Sequence, residues 1–368
     1  MNATDSRLFK FLRFPMMCGI ICIHSDFRLS CDWMTQADMP VFNTMMDKYC
    51  EVVCVTFMFV FFFISGFLFF KESEFNLSLY KEKLSKRVRS LLIPYIIWIA
   101  IYFVVILVLQ LVKPDLLFII HKPISSFSPT DYLWMFWDIR QISPLNIMPE
   151  PLVGQFWFLQ CLFVLSILSP LIWFVIKRTY IMLPLLLALA FFTDFIPIMP
   201  GVQAMAYSFF TLGAFFAIHK VSVSAFVSRF RPYIYLLFLG TFFFTHHHFL
   251  IYWLCDFCLM FVLFDVARWF VSRDFSMPAV LVASSFFLFA IHRFFTGLTT
   301  NMARFEIVPL RSEAACFAYY LVACLLVIAV SVGIYILMSR WLPRVTACLS
   351  GGRTHHPTPN THHLTPIT

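Results

Sequence analysis

Two side chains set the problem: Arg13 and His24, divided by the apolar run FPMMCGIICI. At a helical rise of about 1.5 Å per residue, this spacing puts the imidazole roughly 16 Å further along the axis than the guanidinium. A guanidinium is a permanently charged, planar donor fork suited to phosphate, and an imidazole can take or give a proton near neutral pH. Ionisable groups inside apolar segments are costly, and they mark a protein interior or a wet cavity. The plain alternative is a neutral histidine hydrogen-bonded to a neighbouring helix.

Other polar residues stand in comparable settings. Ser65 and Gly66 interrupt FFFISGFLFF, where small residues let helix backbones approach. Arg87 and Arg89 lie in KEKLSKRVRSLLIPY, just before a proline suited to a helix's first turn, and they read as an anionic-lipid anchor or a phosphate site. GQFWFLQCLF puts Trp157 where an outer aromatic belt is expected, and ASSFFLFAIHRFFTG puts His292 at the outer end of a span. His246, His247 and His248 read as a solvated turn, because three adjacent histidines converge on one metal only with strain. Cys255 and Cys258 form a CxxC without a second pair at zinc spacing, so no metal is expected. Cys31 and Cys50 flank an outer loop and are candidates for a disulfide.

The elements that must carry these groups are membrane helices. With 61% apolar and 12% charged residues, the chain belongs to the integral-membrane class. Apolar runs predict ten spans, near 12–29, 52–70, 91–112, 155–176, 180–197, 202–219, 233–250, 251–271, 278–296 and 315–338. The expected fold is an all-α polytopic membrane helical bundle. Placing the N-terminus inside assigns nineteen Lys and Arg to inner flanks and eight to outer ones, so both termini are expected in the cytoplasm. This distribution makes the net charge of +8 a membrane-flank property and excludes nucleic acid as the expected partner. No small-residue cleavage site follows the first span, which reads as a retained start-transfer segment. The 48 phenylalanines read as filling lipid-facing positions. The outer loop from Lys113 to Gly154 holds DYLWMFWDIR, suited to a membrane-surface or re-entrant helix that covers something. Residues 1–345 form the expected membrane domain. Residues 346–368, rich in His, Thr and Pro towards the end, form an expected disordered tail.

Taken in order, Arg13 with His24, the SG pair, Arg87-x-Arg89 before LLIPY, the WFL opening a later span and His292 after SFFLF resemble the integral membrane acyltransferase 3 family over about residues 7–345. That family includes O-acetyltransferases and O-succinyltransferases of bacterial surface polysaccharides. The resemblance implies a bacterial inner-membrane enzyme in which His24 is catalytic and Arg13, Arg87 and Arg89 handle acyl-CoA. Ser65 matches the family's SG pair. His292 departs from the pattern, because Phe289 and Ala290 stand where a tyrosine precedes the family's histidine.

The expected reaction moves an acetyl or succinyl group from cytoplasmic acyl-CoA, chiefly acetyl-CoA, to a hydroxyl of a surface or lipid-linked glycan. His24 serves as general base, or as a transiently acylated nucleophile, and Ser65 or His292 are candidate oxyanion donors. A carboxylate should orient His24. Asp26 is nearest in sequence but on another helix face, and Asp32, Asp38, Asp47 and Glu150 remain open. The rival reading is a transporter or flippase of lipid-linked sugar with His24 in a proton relay.

Overall fold

The computed structural model describes residues 2–353 other than 32–33, 35–37, 73–74, 114–119, 121, 144–147, 192–198 and 246–248. The predicted histidine turn at 246–248, the candidate carboxylate Asp32 and the end of the predicted fifth span lie outside the described residues.

Backbone groups in hydrocarbon must be satisfied within the segment, so apolar sequence of this kind becomes helix. The helices are α1 (Ala3–His24), α2 (Pro40–Phe69), α3 (Leu77–Val112), α4 (Asp131–Trp134), α5 (Trp157–Ile167), α6 (Ser169–Ile176) and α7 (Met182–Phe191). They continue with α8 (Ala204–Ile218), α9 (Val223–Phe242), α10 (Phe249–Val271), α11 (Ala279–Arg304), α12 (Glu313–Trp341) and α13 (Pro343–Leu349). Among the described residues, five of them (α2, α3, α10, α11 and α12) are long and apolar enough to cross a bilayer. Two bent pairs, α5 with α6 at 64° and α8 with α9 at 118°, raise that number to seven if each is one span. The fold is the expected helical membrane bundle, and the described residues do not establish the ten spans predicted.

Two helix N-termini are closed by carboxylates from elsewhere in the chain. Glu313 accepts from the N–H groups of Val41 and Phe42 at 3.0 and 2.7 Å, and Asp5 accepts from those of Val223 and Ser224 at 3.2 and 3.0 Å. An anion there satisfies donors that have no intrahelical partner and suits the helix dipole. The contacts also define two ends of the bundle. One end gathers Asp5 with α9, Arg7 with Asp274 at 3.0 Å, and Trp98, whose Nε1 donates to the Leu349 carbonyl at 3.0 Å. The other gathers Arg28, bonded to Asp26 and Asp47, and Lys48, whose Nζ donates to Thr245 at 2.8 Å.

The closest helix crossing is between α2 and α8. A Cβ on Gly66 would lie 2.1 Å from the Phe210 carbonyl oxygen, and one on Gly213 would lie 2.0 Å from that of Phe63. The two glycines thus let the backbones touch reciprocally. Around this contact phenylalanine fills the interior: Phe59 stacks on Phe209 at 5.0 Å, and Phe63 and Phe9 pack against Phe264. This corrects the reading of phenylalanine as lipid-facing filler. Phe59, Phe62, Phe63, Phe67, Phe209, Phe210, Phe264 and Phe287 are all buried, because large rings fill the space between helices around the glycine crossing.

Four further expectations change. The loop before α5 re-enters the bundle: Phe127 and Tyr132 pack on Phe103 at the far half of α3, whereas the Phe136 carbonyl accepts from the hydroxyl of Tyr95 near its start. Between Phe103 and Tyr95 lies about 12 Å of helix axis. The chain then returns with Ile139 N–H bonded to Glu150 O at 2.8 Å, and α5 starts inside the bundle. Trp157 is therefore not at an outer interface but against Phe62, at 6.0 Å. Helix α11 runs on to Arg304, so His292 lies mid-helix and fully buried rather than at an outer end. Finally, residues 346–353 of the expected tail are packed: Thr346, Leu349 and Ser350 are buried, and a turn with Gly351 and Gly352 at φ of 61° and 79° follows α13. Residues 354–368 lie outside the described residues. Cys31 and Cys50 are each buried in the apolar cluster around Phe42 and are not joined by the suggested disulfide.

Candidate active site

A cavity of about 250 Å³ runs between α1, α2, α3, α5 and α11. Arg13, His24, Ser65 and Arg87 all line it, together with Gln155, Trp157, Ser285 and Arg353. Helix α1 supplies two of these groups. The side chain of Asn2 caps its start, accepting from Asp5 N–H at 2.7 Å, and the helix continues without a break through Pro15 to His24. The apolar spacing between Arg13 and His24 thus becomes a separation of about 16 Å along one wall.

The arginine end is built from three elements. Arg87 Nη2 donates to Ser65 Oγ at 2.9 Å, and its guanidinium lies over the Phe69 ring at 5.7 Å. Arg353 arrives from beyond α13, its guanidinium 4.7 Å from the Phe286 ring centre. Burial, and then the neighbouring charges of Arg87 and Arg13, push Arg353 down to about 10, which leaves it protonated at neutral pH. Among the described residues no carboxylate lies within 4.0 Å of Arg13, Arg87 or Arg353, although nine other Lys and Arg side chains pair with acids. Burying guanidinium charge without a counter-ion is expensive, and the arrangement is suited to an anionic ligand.

Arg89 does not join this group. It is exposed and does not line the cavity, since the widened turn at Val88–Leu92 carries it to the surface.

The other end is imidazole chemistry. His24 and His292 stack with ring centres 5.1 Å apart. Arg293 Nη1 approaches His24 Nδ1 at 3.4 Å; arginine can only donate, so that nitrogen accepts and the His24 proton resides on Nε2. His292 Nδ1 donates to the Leu288 carbonyl at 3.0 Å, which leaves a lone pair on its Nε2, an atom without a partner among the described residues. Of the carboxylates expected to orient His24, Asp26 and Asp47 are both held by Arg28, at 2.7 and 2.5 Å. Glu150 is the one in electrostatic reach of Arg293; burial raises its carboxyl above the usual range and the Arg293 charge draws it back. Of the two candidate oxyanion donors, Ser65 stands with the arginines, and His292 stands beside His24 but has its N–H committed to the Leu288 carbonyl, so its Nε2 can only accept.

Two residues of this site were not singled out from sequence. Arg293 adjoins His292 inside an apolar helix, and that charge at mid-span is the signal that could have found it. Arg353 follows a glycine pair in a polar tail and carries no periodic signal.

A second, largely apolar groove of about 360 Å³, lined by Tyr95, Ile96, Phe136, Trp137 and Gln160 among others, shares Leu91 and Leu159 with the cavity but holds no charged group. The chemistry therefore belongs to the smaller cavity. No curated protein and no solved structure matches this chain. The sequence profile of the acyltransferase 3 family, an acyltransferase domain, matches residues 9–336, which includes His24, Ser65, Arg87 and His292. With that match over nearly the whole chain, and a helical membrane bundle that lines one cavity with its arginines and histidine, the protein belongs to the acyltransferase 3 family and is a membrane-embedded acyltransferase.

Proposed function

We propose that this enzyme transfers an acetyl or succinyl group from cytoplasmic acyl-CoA to a hydroxyl of a surface or lipid-linked glycan. The observation that carries the reading is the cavity with uncompensated arginines at one end and a histidine pair at the other. Acyl-CoA has phosphates on a nucleotide head and a thioester at the end of a long pantetheine arm. Guanidiniums suit the phosphates. The separation of about 16 Å between Arg13 and His24 suits the arm. The arginine end is the end at which the N-terminus, α9's start and α13 meet, and by the basic-residue rule this is the cytoplasmic side of a bacterial inner membrane, with both termini inside.

In the reaction the acceptor hydroxyl reaches His24 from the opposite end. As its oxygen forms a bond to the thioester carbonyl carbon, its proton passes to His24 Nδ1, from which Arg293 has moved aside. The displaced guanidinium lies next to the developing oxyanion, where a charged donor is most effective. Collapse breaks the C–S bond, and the imidazolium returns the proton to the departing CoA sulfur. The products are the acyl ester and free CoA.

The test is acetyl-CoA binding and turnover by protein purified in detergent. Saturable binding that weakens at least tenfold in Arg13→Gln/Arg87→Gln, with slow acetyl-CoA hydrolysis that disappears in His24→Ala, is the expected result. A folded wild-type protein that neither binds nor hydrolyses acetyl-CoA would return the cavity to the transporter reading.

A further inference from the structure

Beyond residue 336, where the family match ends, the chain makes a structure that points at the cavity. Helix α13 docks on α3 through the Trp98 to Leu349 hydrogen bond, and the glycine turn then presses on the widened stretch of α3: a Cβ on Gly351 would lie 2.3 Å from the Ser90 carbonyl oxygen. Both glycines need the left-handed backbone region, which other residues reach only with strain.

Ser90 is an unusual acceptor. In a regular helix its carbonyl would receive the N–H of residue 94, but residue 94 is Pro94 and has none. Arg353 Nη1 donates to that carbonyl at 3.3 Å and to Ser350 O at 3.2 Å, while the Tyr335 hydroxyl donates to the Arg353 carbonyl at 3.4 Å. One guanidinium nitrogen is thus anchored to backbone. The other, Nη2, and Nε have no hydrogen bond to the described residues, on a side chain that lines the cavity beside Arg13 and Arg87. A side chain fixed by two carbonyls at one nitrogen and left with free donors at the others is a preorganised anion ligand.

We infer that the Ser350–Arg353 turn is a fourth wall of the donor site and that Arg353 binds a phosphate of the acyl-CoA head, the C-terminal segment closing over the nucleotide end after the last long helix. The inference rests on the acyl-CoA reading above and adds to it a residue outside the family match. A lipid headgroup phosphate shares the chemistry, and its binding is one of the outcomes below.

The experiment measures acetyl-CoA affinity by calorimetry on the full chain in detergent, for wild type, Arg353→Gln, Arg353→Lys and the exposed neighbour Arg344→Gln. Loss of a charge-assisted bond predicts an affinity about tenfold lower or worse in Arg353→Gln, with partial recovery in Arg353→Lys and no change in Arg344→Gln. Thermal midpoints of the unliganded proteins separate a lost contact from a lost fold. Arg353→Lys, which keeps the charge, holds the test open if the glutamine variant does not fold. Wild-type affinity in a folded Arg353→Gln overturns the inference and leaves the acyl-CoA reading intact. No binding by wild type overturns both. Weakened binding of phosphatidylglycerol micelles with unchanged acetyl-CoA affinity assigns Arg353 to lipid and overturns it as well.

Discussion

An imidazole whose Nδ1 receives a guanidinium N–H is a poor base until the donor moves, and His24 is held in that state by Arg293 at 3.4 Å. Two variants separate the roles. His24→Ala should abolish transfer while acetyl-CoA affinity stays within about twofold, because the arginine end of the cavity lies roughly 16 Å away. Arg293→Gln should lower kcat by about tenfold or more with little change in the KM for acyl-CoA, the pattern of a contact made only in the transition state. A rise in KM at constant kcat would instead put Arg293 on the donor. At this scale the sequence was legible where charge met an apolar helix: Arg13, His24 and Arg87 each stood out, and the cavity collects them. Arg89 was misplaced because Arg-x-Arg spacing says nothing of which arginine the widened turn directs inward. Arg353 was invisible, since a residue after two glycines has no helical period to betray its facing.

Among the helices, the SG pair divides in two. Ser65 is a hydrogen-bond acceptor for Arg87, and Gly66 is an α2–α8 contact. Gly66→Ala should therefore lower the thermal midpoint strongly, because its methyl meets backbone and costs about 1–3 kcal/mol or more. Gly297→Ala in α11 meets nothing within 4 Å and should be neutral or stabilising, by up to about 1 kcal/mol. A pair of midpoints from detergent-solubilised protein decides the matter, and equal losses would mean that helix approach is not what Gly66 provides. The aromatic loop at Asp131–Arg140 was legible as a membrane-associated element. That it would return the chain to mid-bundle and set Trp157 against Phe62 was not, because the decisive bonds, Tyr95 and Gln160 to loop carbonyls, join residues 23 to 41 positions apart.

Across the whole molecule, none of the eleven cysteines is in a disulfide, and Cys348 alone is exposed. Maleimide labelling of the native protein without reductant should reach Cys348 first, and unfolding without reductant should expose the remainder, Cys31 and Cys50 included. Incomplete labelling after unfolding would mean a disulfide. The long passage from Arg13 to His24 has one more consequence, which concerns control. If donor and acceptor come to opposite mouths of one cavity, spent CoA leaves by the mouth through which acetyl-CoA arrives. CoA should then inhibit competitively against acetyl-CoA and non-competitively against the glycan, and no excess of glycan should relieve it. Competition with the glycan would mean a shared mouth. The rate of surface modification would follow the cytoplasmic ratio of acetyl-CoA to CoA, so the outer coat would register the cell's carbon supply without any separate sensor.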